Sequence, residues 1–281
     1  MLRRDVLAGL AAAAALIGCV PSAAPAEPPF EPTRFTVEVR GTGPDVILIP
    51  GLTAGPEIWA GTVTSVPGYR YHLVHVGGMA GAPARGNASG PVVAPLADEL
   101  ARYVASRNLR PALIGHSMGG TLAMMVAARR PALAGRVMVI DMLPRPSGLV
   151  GSSPARARAF ADQMRDVAAT PGGRRLLESL IGSFGTNGSG GTSDANVVAR
   201  AMHELASLDL TPDLPRIATP LTIVYASPSE RSRARDEAAY TAAYASARNA
   251  ELVRIDGSGH MIMYDQPARL HAAIRSFLAG R

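Results

Sequence analysis

Apolar and polar residues alternate along Arg34–Arg40, with Phe35, Val37 and Val39 on one side and Thr36 and Glu38 on the other. A period of two marks a strand with one covered and one wet face, and this stretch reads as an edge strand. The next runs do not alternate. Asp45–Ile49, Ala112–Ile114 and Arg136–Ile140 are short and almost wholly apolar, as strands buried on both faces are. Tyr69–Val76, Leu221–Ala226 and Glu251–Ile255 read as further strands. Between them the period lengthens. Val92–Arg107 places Val93, Leu96, Leu100, Tyr103 and Val104 on one helical face, and Thr121–Arg130, Ser232–Ala247 and Pro267–Leu278 read as helices too. Strand, helix, strand in succession implies a parallel sheet joined by right-handed crossovers. From Met142 to about Ile217 that rhythm breaks. Arg156–Ala169, Arg174–Ile181 and Val197–Leu208 look helical, while Gly182–Gly191 is Gly/Ser-rich without an apolar period, a stretch that suits a lid hinge or a plain surface loop.

The first residues stand apart from this pattern. Leu2-Arg-Arg-Asp5 is charged, and Val6–Gly18 is an apolar run too short to span a bilayer but suited to the core of an export signal. Arg3-Arg4 resembles a twin-arginine signal, and Leu16-Ile-Gly-Cys19 resembles a bacterial lipobox, which would make Cys19 the lipidated first residue of the mature chain. Cleavage after Ala24-Pro-Ala26 is the alternative. Cys19 is the sole cysteine, so the chain forms no disulfide within itself. The expectation is an exported protein of the periplasm or cell envelope, with residues 1–26 as signal and tether and a single domain over 27–281.

Composition narrows the function. The 281 residues carry 28 basic side chains, all arginine, and a net charge of +6. The arginines are scattered and lack interleaved aromatics, which argues against a nucleic-acid partner and is met by an ordinary solvated surface. No metal-ligand spacing and no dinucleotide-binding glycine pattern appears in the sequence, so neither metal nor cofactor is expected.

The chemistry gathers at Gly115-His-Ser-Met-Gly119. Gly-x-Ser-x-Gly alone is a weak signal in a chain with 29 glycines. Here an apolar strand precedes it and a helix-forming run follows, which puts Ser117 on a tight strand-to-helix turn with free N–H groups behind it. That context resembles the nucleophile elbow of the α/β-hydrolase family. The resemblance extends to Gly257-Ser-Gly-His260, on the loop after the last strand where the family carries its catalytic histidine, and to Pro50-Gly-Leu52, where the family commonly has His-Gly. It implies a mostly parallel sheet flanked by helices, with a helical cap inserted at about 144–217. It implies Ser117 as nucleophile, His260 as base, and the N–H groups of Leu52 and Met118 as oxyanion hole. The acid departs from the pattern. Its usual place is Ser227-Pro-Ser-Glu230, without aspartate. Asp141, at the end of the preceding strand, ranks narrowly ahead of Glu230, and Asp236 trails both. The expectation is a serine hydrolase acting on small-molecule carboxylic esters. Thioesters, lactones, amides and perhydrolysis fit the same residues. A non-catalytic binding protein on the same fold is the alternative that the missing aspartate suggests.

Overall fold

A computed structural model describes residues 30–148 and 192–280, with scattered residues between 155 and 170. Cys19, the signal and tether, Arg174–Ile181 and Gly182–Gly191 lie outside the described residues. Seven strands form one sheet: β1 (Phe35–Arg40), β2 (Asp45–Ile49), β3 (Arg70–Val76), β4 (Ala112–His116), β5 (Arg136–Ile140), β6 (Leu221–Ser227) and β7 (Ala250–Asp256). Their order is β1-β3-β2-β4-β5-β6-β7. Only β1 runs antiparallel, against β3; every other neighbouring pair is parallel.

The helices whose full span is described are α1 (Ala60–Ser65), α2 (Val93–Ser106), α3 (Met118–Arg129), α4 (Ala195–Ser207), α5 (Glu230–Ala243), α6 (Ile262–Asp265) and α7 (Pro267–Ala279). They cover both faces of the sheet, which is why the central strands are apolar throughout. Ile47, Ile49, Leu113, Val137, Val139 and Ile223 point into a core shared with α2, α3 and α4. Their alternates Val46, Leu48, Ile114, Met138, Ile140 and Val224 point into a second core with Trp59, Leu270, Ile274 and Phe277. β1 is the edge strand that its alternation implies, and Val39 is half exposed on it.

Some boundaries move for local reasons. The helix expected from Ser232 begins at Glu230, because Ser229 caps it and forms a reciprocal capping box with Ser232. α4 starts at Ala195, where the Asp194 carboxylate accepts hydrogen bonds from Asn196 and Val197 N–H. The described residues of the Arg156–Ala169 stretch that fall between 156 and 167 are helical. Among the described residues, no helix is long and apolar enough to cross a membrane.

Candidate active site

Parallel strands bring the features singled out in sequence to one edge of the sheet, outside the carboxyl ends of β2, β4, β5 and β7. β4 ends at His116 and α3 begins at Met118, so Ser117 alone makes the turn. It does so at φ 52° and ψ −122°, a conformation unfavourable for a residue with a side chain. Surrounding contacts hold it there. Ser117 N–H donates to the Ile140 carbonyl at 2.9 Å, and Ser117 C=O accepts from Gly120 N–H at 2.8 Å. The flanking glycines are a packing requirement. A Cβ on Gly115 would lie 2.1 Å from the Gly119 carbonyl oxygen, and one on Gly119 would lie 2.2 Å from that of Ile49.

The loop after β2 presses on this turn. A Cβ on Gly51 would stand 3.1 Å from Cβ of Ser117. Leu52 therefore follows directly on a backbone packed against the serine. Met118 is the first residue of α3, where N–H groups lack intrahelical acceptors and the helix dipole favours negative charge.

Asp141 directly follows β5, with φ 49°, and is buried. Its Oδ2 lies 2.7 Å from Nδ1 of His260, on the loop between β7 and α6. Its Oδ1 accepts from Ala226 N–H and from the Tyr240 hydroxyl, both at 2.9 Å. Of the three candidate acids, Asp141 is the one brought to His260. Glu230 is not: the capping box makes it the first residue of α5, where its carboxylate is almost fully exposed and pairs with Arg233 at 4.0 Å. Asp236 is turned to Ser227 and Arg235.

Three residues given no role from sequence lie against this group. Tyr240 holds Asp141, and its ring stacks on Tyr225 at 4.4 Å between centroids. One turn later, the Tyr244 hydroxyl donates to the Met142 carbonyl at 2.6 Å. Tyrosines four apart, one in the last turn of α5 and one at its C-cap, are the only trace of this pairing in the sequence. Burial is the main cause that pushes both phenols well above their ordinary pKa, with the Asp141 charge adding to it. His116, the residue before the nucleophile, also touches the group. Its ring packs on that of His260, with centroids 4.6 Å apart, and its Nε2 donates to the His260 carbonyl at 2.9 Å. Burial, with the neighbouring His260 adding, drives the His116 pKa down from 6.5 to about 3.

Three of the remaining histidines are engaged elsewhere. His72 bridges Asp45 and the Tyr103 hydroxyl, His75 meets the Met79 carbonyl, and His203 pairs with Asp162. Among the described residues, no three His, Cys, Asp or Glu side chains are grouped to hold a metal ion.

The model of the alpha/beta hydrolase family matches residues 46–273, more than half of the chain. The chain belongs to the α/β-hydrolase family. Solved structures similar to this member include an enol-lactonase from Burkholderia xenovorans LB400, at 18% identity and TM-score 0.69, covering 87% of this chain and 96% of that one. A thermophilic esterase from Thermogutta terrifontis, with malate bound, shares 21% identity at TM-score 0.71, over 88% and 93% of the two chains. A structure from a study of carboxylesterases of the thaumarchaeon Nitrososphaera gargenis shares 17% at TM-score 0.68, over 87% and 94%. At these identities the likeness establishes the fold. No curated protein matches the sequence.

Proposed function

We propose that this α/β-hydrolase cleaves carboxylic esters through an acyl-enzyme on Ser117, with His260 as general base and acid and Asp141 as the residue that orients it. The observation that carries this reading is the 2.7 Å contact between His260 Nδ1 and Asp141. With Nδ1 donating to the carboxylate, Nε2 is left as the acceptor, the tautomer a base needs. The His260 side chain is partly exposed while Asp141 is buried, so one end of the imidazole faces substrate and the other is fixed.

The steps follow from that arrangement. Ser117 Oγ attacks the ester carbonyl carbon as His260 Nε2 takes its proton. Negative charge develops on the carbonyl oxygen, against the N–H groups of Leu52 and Met118. The tetrahedral species collapses, the carbon–oxygen bond to the alcohol breaks, and His260 returns the proton to the departing alkoxide. Water then attacks the acyl-enzyme with His260 again as base, releasing the acid and restoring Ser117. The esterases and the lactonase among the similar folds favour oxygen esters over thioesters and amides as first substrates to test. The binding-protein alternative drew on the missing aspartate near 227–230, and the Asp141–His260 contact removes that support. With this reading goes the proposal, carried by residues 1–26 alone, that the protein is exported and anchored through lipid on Cys19.

The test is labelling with a fluorophosphonate, beside hydrolysis of p-nitrophenyl esters from acetate to decanoate. Wild type is expected to label and to turn over at least one ester, and Ser117→Ala and His260→Ala to lose both. A folded wild type that neither labels nor hydrolyses any of the series would overturn the proposal.

A further inference from the structure

We infer that Tyr240 is a positioning residue for the reaction: its hydroxyl, with the Ala226 N–H, locks the Asp141 carboxylate in the orientation that aims His260. The inference rests on the triad reading above and extends it to a residue on α5.

A carboxylate aims an imidazole only if its own rotation is stopped. One oxygen of Asp141 faces His260, so the lock has to act on the other. Two donors reach that Oδ1 from different elements: Ala226 N–H from β6 and the Tyr240 hydroxyl from α5, each at 2.9 Å. They are coupled to one another, because Tyr225, the neighbour of Ala226, stacks on Tyr240 with ring planes only 18° apart. The Tyr244 hydroxyl fixes the next peptide by donating to Met142. Helix α5 thus grips the side chain of residue 141 with Tyr240, and its C-cap residue Tyr244 grips the backbone of residue 142.

This grip has a reason in the sequence. The acid directly follows β5, while β6 ends in Ser227 and the turn after it presents Ser229. Asp141 must reach His260 from one strand further away, and Tyr240 comes in from the α5 side to close around it. The phenol is suited to the task because its raised pKa keeps the hydroxyl protonated, a donor at every working pH. A hydrogen bond to a charged acceptor is also among the stronger kinds.

The variant that isolates this role is Tyr240→Phe, which keeps the ring and its stacking and removes only the hydroxyl. Titratable groups around Asp141 are His260, His116, Tyr240 and Tyr244, with Asp236 and, beyond Tyr225, Glu237 and Arg254. Against these, loss of the Tyr240 donor leaves the carboxylate charge less shared, so it stabilises protonated His260 more. The acid limb of kcat/KM should move to higher pH. Loosened orientation should lower kcat about tenfold with KM unchanged, the size expected for one hydrogen bond to a charged group.

The measurement is the pH profile of p-nitrophenyl butyrate hydrolysis and of fluorophosphonate labelling, for wild type, Tyr240→Phe, Tyr244→Phe and Asp141→Asn. Tyr244→Phe removes a buried hydroxyl at the C-cap of the same helix without touching the carboxylate, and should leave the acid limb in place. Tyr240→Phe with wild-type kcat and profile, or an equal shift in Tyr244→Phe, would overturn the inference. In either of those cases, loss of turnover in Asp141→Asn shows that the triad reading itself survives. Turnover retained in Asp141→Asn would instead sink the triad reading and the inference with it.

Discussion

Asp141 carries three hydrogen bonds on two oxygens, and its replacement by asparagine separates charge from shape. The amide keeps the size but offers an NH₂ group where His260 or Tyr240 needs an acceptor, so the imidazole loses its preferred tautomer. Asp141→Asn is therefore expected to lower kcat by about 10³–10⁴-fold. Glu230→Gln removes only an exposed charge at the start of α5 and should leave turnover within about twofold of wild type, since surface ion pairs contribute little. Ester hydrolysis by the two purified variants decides the matter, and the opposite result would return the acid to Glu230. How far each residue could be read in advance depends on how local its evidence is. Ser117 and His260 sit in glycine-bounded motifs whose meaning is contained in five or six neighbouring residues. Asp141 could be ranked but not chosen, because its rival lay on another strand end. Tyr240 stands 99 residues from the carboxylate it holds, and only the packing of α5 on β6 brings them together.

Elements were legible where one periodicity ran unbroken, and less so where a cap outside that pattern set the boundary, as Ser229 does for α5. The clearest case of such distant control is α2. Its first turn holds no acidic residue, and its N-cap Val92 offers no side-chain acceptor. Glu204 of α4 supplies the cap, accepting from Val92 N–H at 2.6 Å and Val93 N–H at 2.9 Å. A carboxylate at a helix N-terminus satisfies free donors and complements the dipole. On the same helix, Arg200 donates to the Asn87 carbonyl at 2.5 Å, so α4 is fastened to the loop before α2 at two points. Glu204→Ala should cost about 1 kcal/mol in chemical denaturation. Hydrogen exchange at Val92 and Val93 should speed up more than exchange in α3. Uniform acceleration across the helices would show that Glu204 acts on global stability and not as the cap of α2.

Helices on both faces of the sheet leave the interior of the molecule nowhere to place a charge cheaply, and His116 shows the consequence for the molecule's response to acid. Its ring is almost fully enclosed, Nε2–H is committed to the His260 carbonyl, and the buried Nδ1 has no partner. Protonating Nδ1 would set a cation beside the His260 ring without an acceptor to compensate it. In the unfolded chain the same imidazole titrates near 6.5, against about 3 when folded. Between those values the unfolded state binds the extra proton, so stability rises with pH across that window. The contribution of His116 is fully present above about 6.5 and is lost progressively as pH falls toward 3. One proton of difference gives a slope of up to about 1.4 kcal/mol per pH unit. His271 on α7 is also lowered by burial and adds in the same direction. His116→Gln keeps a donor near the Nε2 position but cannot titrate, so its stability should fall less steeply between pH 6.5 and 5 than that of wild type, leaving the remainder to His271 and the carboxylates. Urea denaturation midpoints collected in steps across that range test this directly, and parallel slopes for the two proteins would mean that His116 is reached by a proton, or by water, without unfolding.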